Sequence, residues 1–457
     1  MPIIESWSKL EKRAGYSLAM IYAVRMLGLF MILPVFAVYA ESLPDSTPFL
    51  AGLALGIYGL TQAILQIPFG MLSDKFGRKP IIAIGLLIFM AGSIVAANAD
   101  SIYGIIFGRA LQGSGAIAAA LMALAADLSR EEHRLKMMSF IGVSIGFSFA
   151  LSMVLGPILN QHIGMSGLFL FTAAMAVFAI IILFTLVPNP QRSFFHRDTQ
   201  ANPTQLHKVL ADSQLLRLDF GIFILHAVLM ASFMAIPLML QHDARFDVSE
   251  HWKLYLPVFL LSVALMVPFI IRAETKRRMK QVFIGAIGTL LLAELALMLG
   301  GESVFQIGFI LVVFFTAFNL LEASLPSLIA KISPADRKGT AMGVYSSSQF
   351  LGAFVGGSLG GYSYQHWGSV GVFLICAAGL SFWMLLAVSM KNPRYVSTYL
   401  LNIGTLPSSE VNHMIAQLVS VQGVAEVSIE PEEGIAYLKV ELHALDEEKL
   451  LKYSINN

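Results

Sequence analysis

Four ionisable side chains stand inside apolar runs, where a charge costs roughly 2.5–3.5 kcal/mol on insertion scales. They are Arg25 in "AVRMLGLF", Arg109 in "FGRALQGSGA", His226 in "FILHAVLM" and Glu322 in "AFNLLEASLPSL". A carboxyl group such as Glu322 can reduce that cost by taking up a proton, which makes it the first choice for a proton carrier. Histidine titrates near neutrality, so His226 is a second exchangeable site. Arginine keeps its proton, so Arg25 and Arg109 are suited to binding an anion or holding a carboxylate charged. The plainer readings are a Glu322 satisfied by Asn319 or a neighbouring segment, and a His226 that packs with a hydrogen bond. Glu294, in another apolar run, reads as structural or interfacial.

Around these lie uncharged groups able to line a cavity: Tyr22, Tyr58, Gln62, Gln112, Asn319, Tyr345 and Gln349. Tyr58 with Gln62, and Tyr345 with Gln349, are four apart and share a helix face. Packing between helices is the competing reading for each. No nucleophile–base pair and no cluster of metal ligands stands out, so catalytic residues, metal and cofactor are all expected to be absent. Cys376 is the single cysteine and allows neither an internal disulfide nor a thiolate metal site. No glycine-rich Lys-Ser/Thr fingerprint argues for a primary ATP-driven pump.

The elements that must position these residues are apolar and long. Of 457 residues 56% are hydrophobic and only 13% charged, against about 25% charged in ordinary globular domains. Runs of eighteen or more apolar residues predict membrane-crossing helices in contact with lipid. Twelve are expected, near 16–40, 49–73, 79–98, 101–126, 136–159, 166–187, 217–240, 252–272, 280–299, 303–330, 339–362 and 368–390. Arg25, Arg109, His226 and Glu322 then fall in spans 1, 4, 7 and 10, the first of each three-span unit.

Outside Arg25, Arg109, Arg245 and Lys253, all of the 30 Lys and Arg residues fall on the side that holds both termini and the even-to-odd loops. Short cytoplasmic loops carry such an excess, so both termini are expected in the cytoplasm of a bacterial inner membrane. The basic residues sit in short loops rather than on one face, so nucleic acid is excluded as a partner. No small-residue cleavage pattern follows the N-terminal segment, and no removable signal peptide is expected.

"PFGMLSDKFGRK" (68–79) matches "PFIIRAETKRRM" (268–279), and "IGVSIG" (141–146) matches "MGVYSS" (342–347), each about two hundred residues on. Such duplication suits two bundles around a central site. The expected units are a six-helix bundle over 1–190, a cytoplasmic linker over 191–216, a second bundle over 217–392 and a cytoplasmic α+β domain over 393–457. That tail reads strand, helix, strand, strand, helix, with Ser408 and Asp446 as helix caps and Gly423 past the end of its first helix. It has no cysteine pair, and His413 and His443 are isolated, leaving regulatory ligand binding, self-association or plain stabilisation open.

The turn "GMLSDKFGRKP" (70–80) is charged beyond what topology needs. Anchoring explains its basic residues; Gly70, Asp74 and Gly77 are left over. Asp74 sits at the end of span 2 and Asp127 at the end of span 4. Asp127 is expected to meet Arg78 or the N-terminal end of a neighbouring span, where negative charge is favoured. Such contacts form a conformational latch that biases a two-state equilibrium.

These residues resemble the major facilitator superfamily. Gly70, Asp74, Lys75, Gly77, Arg78 and Lys79 fall on its loop 2–3 signature, and Arg109, Gln112, Gly113 and Gly115 on its fourth-span motif. Gly156-Pro157 is only part of the drug:proton antiporter signature, since Ile158, Leu159 and Asn160 replace the glycine that follows. The chain is similar to a branch of the family with a ferredoxin-like domain after twelve spans. The resemblance implies an all-α membrane protein with the twelve-helix fold, two six-helix bundles with inverted repeats, and alternating access around a cavity lined by spans 1, 4, 7 and 10. It implies a secondary transporter that moves a small-molecule substrate of unknown identity, expected to be coupled to protons as an efflux-like antiporter. An uncoupled facilitator, or a sensor derived from a transporter and read through the tail, is the alternative.

Overall fold

The computed structural model describes residues 7–189, 205–301, 303–334, 337–392, 397–431, 434–441 and 444–455. His443 and most of the expected linker, up to residue 204, lie outside them. Among the described residues ten helices are long and apolar enough to cross a membrane, and two of these are double. Glu131–Thr185 reverses at Gly164 (φ 66°) and Lys338–Val388 at Gly368 (φ 62°), which yields twelve spans. A left-handed φ costs an L residue roughly 1–2 kcal/mol, and glycine avoids it.

Span 1 starts well before its apolar run, at Lys9. Ser8 and Glu11 close a capping box there, so the polar first turns are helical too. It is in two pieces, Lys9–Phe30 and Leu33–Ala40, because Pro34 has no N–H to continue the ladder. Spans 2 and 3 are Pro48–Phe76 and Arg78–Ala97. Span 4 is also broken, into Ile102–Ser114 and Ala118–Asp127, at the Gly115 step. Span 7, Ser213–His242, starts four residues earlier than expected because Asp212 Oδ1 caps Gln214 N at 2.9 Å. Spans 8, 9 and 10 are His251–Thr275, Met279–Met298 and Val304–Ile332.

The duplication is written into the backbone. Asp45 and Arg245 both have positive φ (57° and 49°), as do Gly77 and Arg277 (93° and 51°). The same turn recurs two hundred residues on, even where the second copy carries an arginine.

Span 11 is the common neighbour of both bundles. Against span 2 the contact is backbone to backbone: a Cβ on Gly56 would lie 2.6 Å from Phe354 O, and one on Gly357 2.6 Å from Gly52 O. Against span 7, Gly352, Gly356 and Gly360 meet Phe223, Ala227 and Ala231 in step, with a Gly360 Cβ 2.6 Å from Ala231 Cα. Small residues allow this approach, which is what packs helices where lipid competes equally for apolar side chains. On the side away from the termini, His242 meets Glu41 at 3.0 Å and Phe49 N donates to Gln365 Oε1 at 3.3 Å, each joining the two bundles. Deeper in, Phe149 of span 5 packs edge-on against Phe30 and Phe259, of spans 1 and 8.

The tail is a three-stranded antiparallel sheet in the order β1 (Ser397–Asn402), β3 (Ile435–Val440), β2 (Val424–Glu430). Helices Ser408–Val419 and Glu447–Leu451 complete it. Asp446 caps the last helix through Lys449 N at 3.0 Å, as its position predicts. Ser408 does not cap the first: the helix already includes it, and Pro407, with its extended backbone, stands at the cap. Buried Lys439 of β3 reaches out of the sheet. Its Nζ donates to Lys331 O at 3.0 Å and to Ser333 O, at the C-terminal end of span 10, where a cation suits the helix dipole.

Gly356→Ala is expected to destabilise the second bundle by about 1–3 kcal/mol, the usual cost of overpacking. Gly285→Ala, where nothing lies within 4 Å, is the neutral control. Thermal unfolding of the purified variants in one detergent checks both.

Candidate functional site

The polar groups of the membrane interior gather in two clusters. In the first bundle, side chains of span 1 donate to backbone carbonyls at the break in span 4. Arg25 Nη2 donates to Gly115 O (2.9 Å), Gln62 Oε1 (2.8 Å) and Tyr58 Oη (3.0 Å). One turn away, Tyr22 Oη donates to Ala118 O at 3.0 Å. Tyr58 and Gln62 do share a face, and Arg25 is what they share it with.

Arg109 sits on the other side of Tyr58, with its guanidinium 5.1 Å from the ring centre. It donates to Gln112 Oε1 at 2.8 Å and to the carbonyls of Ala54 and Leu55 at 3.4 Å. Gln112 in turn donates to Ser93 Oγ at 2.7 Å. Arg109 is thus a brace tying span 4 to spans 2 and 3. Neither arginine's hydrogen bonds reach a carboxylate among the described residues, in contrast to one of the expected roles. Arg25 keeps two buried nitrogens, Nε and Nη1, without a partner among the described residues.

The second bundle brings together His226 of span 7, Glu322 of span 10 and Gln349 of span 11. Gln349 Nε2 lies 2.8 Å from His226 Nε2 and 3.4 Å from Glu322 Oε1, and His226 Nε2 is 3.9 Å from Glu322 Oε2. An amide N–H₂ can only donate, so in this arrangement His226 Nε2 accepts and the imidazole is neutral. A protonated imidazole would require the amide to turn and offer its oxygen. The Gln349 amide is therefore sensitive to the protonation of its neighbours. Asn319 does not satisfy Glu322; its amide donates to Ser262 Oγ of span 8 at 3.3 Å. Tyr345 is buried one turn from Gln349.

Glu294 is fully buried, with one oxygen accepting from Ser232 Oγ at 2.7 Å. Two residues escaped notice in the sequence. Asp219 lies two residues past the expected start of span 7 at 217; the helix starts at Ser213, and Asp219 is buried within it. Gln66 donates to Ser347 Oγ at 2.6 Å and so bridges spans 2 and 11 across the bundle interface. A glutamine in the apolar run "AILQIPF" was the available signal.

The charged turn is a separate site, at the end of the molecule that carries the termini. Arg78, buried, donates through Nε to Asp127 Oδ2 at 3.0 Å, and through Nη1 to Ser73 Oγ at 2.8 Å and to Asp74. These contacts join spans 2, 3 and 4 within the first bundle. Gly77 turns the chain at φ 93°, and a Cβ on Gly70 would press on Ala119 at 3.3 Å. Lys79 reaches Val187 O at 2.6 Å, fastening the turn to the end of span 6. Asp127 is fully enclosed. Arg78→Ala is expected to cost about 3–5 kcal/mol of stability, as breaking a buried pair does. Gly77→Ala is expected to cost about 1–2 kcal/mol through backbone strain alone. Unfolding in detergent separates the two.

The family model of the Major Facilitator Superfamily matches residues 18–318 and 220–400. The chain is 48% identical over 432 residues to the inner membrane transport protein YajR of Escherichia coli, covering 94% of each. It is 26% identical over 185 residues to the quinolone resistance protein NorA of Staphylococcus aureus, 40% of this chain and 47% of that one. In fold it is similar to a bacterial homologue of the human lysosomal transporter Spinster in an inward-facing and occupied conformation. That similarity has a TM-score of 0.67 at 14% identity over 84% of this chain and 96% of the other. Together with the apolar spans among the described residues, these matches leave one assignment. The chain belongs to the Major Facilitator Superfamily and is a multi-pass membrane transporter rather than an enzyme.

Proposed function

We propose that this transporter is proton-coupled, working as a drug- or metabolite-exporting antiporter by alternating access between its two bundles. The observation that carries the reading is the Glu322–His226–Gln349 cluster. It joins two exchangeable groups through an amide whose orientation depends on where the proton is. The cluster spans helices 7, 10 and 11, so a change in its hydrogen bonding acts on the helix that packs against both span 7 and span 2. A proton entering with the membrane potential brings about 2.3 kcal/mol per 100 mV, enough to bias such an equilibrium.

The name of the Escherichia coli relative supports an inner-membrane location, and the basic loops support cytoplasmic termini. The name of the Staphylococcus relative supports export. On this reading the cargo is a small molecule and the Arg78 cluster is a latch that stiffens the cytoplasmic end of the first bundle. The units on this reading are 1–190, 191–216, 217–392 and 393–457. The tail is a regulatory or self-associating element rather than a metal site.

A thermal-stabilisation screen supplies a cargo, and proteoliposomes then test coupling. An imposed pH gradient is expected to accelerate wild-type flux, and Glu322→Gln to abolish that acceleration while exchange without a gradient persists. Flux that ignores the gradient and survives the substitution overturns coupling and leaves an uncoupled facilitator. Removal of residues 393–457 is expected to preserve transport but lower the unfolding temperature, since Lys439 no longer covers the end of span 10. An unchanged unfolding temperature would show that the contact contributes nothing to stability.

A further inference from the structure

Arg25 of span 1 is 2% exposed, and nothing it bonds to balances its charge. All of its hydrogen bonds leave from one nitrogen. Nη2 has two hydrogens for three acceptors, Gly115 O at 2.9 Å, Gln62 Oε1 at 2.8 Å and Tyr58 Oη at 3.0 Å. None of the three is an anion. The Phe89 ring lies 5.8 Å from the guanidinium carbon and softens the charge without cancelling it. Nε and Nη1 are buried without a hydrogen-bond partner among the described residues.

Gln62 deepens the imbalance. It is fully buried, and because its oxygen faces Arg25 Nη2, its amide N–H₂ is left over. That nitrogen too has no partner among the described residues. Turning the amide would set donor against donor. The site therefore offers one N–H on Nε, two on Nη1 and two on Gln62 Nε2, beside a fixed positive charge. Leaving such groups sealed and unanswered costs more than packing returns. Bracing does not account for them. Arg109, on the other side of Tyr58, has each of its three nitrogens bonded, to Gln112 Oε1, Ala54 O and Leu55 O. The wall of the site reaches the second bundle. The Tyr58 ring packs 6.4 Å from that of Phe350 in span 11, which is half-buried and directly follows Gln349.

We infer that Arg25 and Gln62 bind the head group of the cargo, and that this head group is a carboxylate on a small organic molecule. The inference rests on the small-molecule transport reading above and adds the class of cargo to it. A carboxylate is planar like the guanidinium and offers about four lone-pair sites to the unpartnered N–H bonds. Its single charge cancels that of Arg25, the cation here with N–H bonds left to give. Because Phe350 and Gln349 are consecutive, a shift of span 11 moves the wall of this site and the Glu322 cluster together. Cargo and proton are then linked through one helix.

Titration calorimetry of the full chain in detergent tests this with acetate and benzoate as probes, each against its neutral amide, and with chloride. The wild type is expected to bind a carboxylate roughly tenfold or more tighter than the matching amide, the scale of a hydrogen bond to a charged group. Arg25→Lys keeps the charge but loses the guanidinium plane, and is expected to weaken carboxylate binding by a similar factor. Gln62→Glu places a carboxylate of the chain's own beside Arg25 and is expected to erase the preference for acid over amide. Unfolding temperature verifies that each variant is folded, and Gln62→Glu carries the test if Arg25→Lys is not. Equal affinity for acid and amide in the wild type, or a preference that survives in the folded variants, overturns the site. Chloride binding as tight as either carboxylate overturns the organic cargo. Binding is read without a pH gradient, so its failure leaves proton coupling standing, and flux that ignores a gradient leaves the carboxylate site standing.

Discussion

Hydrocarbon offers no hydrogen bonds, and this one constraint organises the interior. Every polar atom placed there must be answered by another part of the chain. Where span 4 breaks, side chains of span 1 supply donors to its carbonyls: Arg25 at Gly115 and Tyr22 at Ala118. Arg109, whose type and place suggest an anion site, is taken up almost entirely by Gln112 and the span 2 carbonyls. Once these groups are answered, the unanswered ones stand out. They include the Asp219 carboxyl, one oxygen each of Glu294 and Glu322, and two nitrogens of Arg25.

The two bundles meet the constraint with different chemistry. The centre of the first holds arginines, tyrosine and glutamines, whose charge does not change in the physiological range. The centre of the second holds glutamate, histidine and aspartate, which can exchange protons. Their backbones nonetheless repeat one another down to left-handed turns at 45 and 245 and at 77 and 277. Glycines of span 11 let the two bundles lie close, because a side chain at Gly357 or Gly361 would push span 2 away.

Much of this was legible in the sequence because the bilayer imposes a coarse code. Apolar length finds spans, loop charge separates their ends, and a charge inside a span marks itself. The Arg78–Asp127 pair was readable for the same reason, since both residues sit at span ends beside a glycine turn. What a side chain faces was not readable. Asn319 is one turn from Glu322 and was its natural partner, yet helix rotation aims it at Ser262. Asp219 lay beside the expected start of span 7, where an acid is unremarkable; only the cap at Asp212 shows that the helix begins earlier. The breaks in spans 1 and 4 were hidden because both fall within unbroken apolar runs. Pro34 and Gly115 were the signs, but proline and glycine are too common in membrane helices to decide it.

Gly164 and Gly368 have a mechanical meaning. Each joins two long helices through a single left-handed residue, with no loop to absorb movement. Spans 11 and 12 are therefore two arms of one bracket. A tilt of span 11 against span 2 has to drag span 12 along, and with it Trp383, which lies against Gly221. The joint has no slack, so displacement at the seam between the bundles is delivered to the far flank of the second bundle rather than lost in a flexible connection.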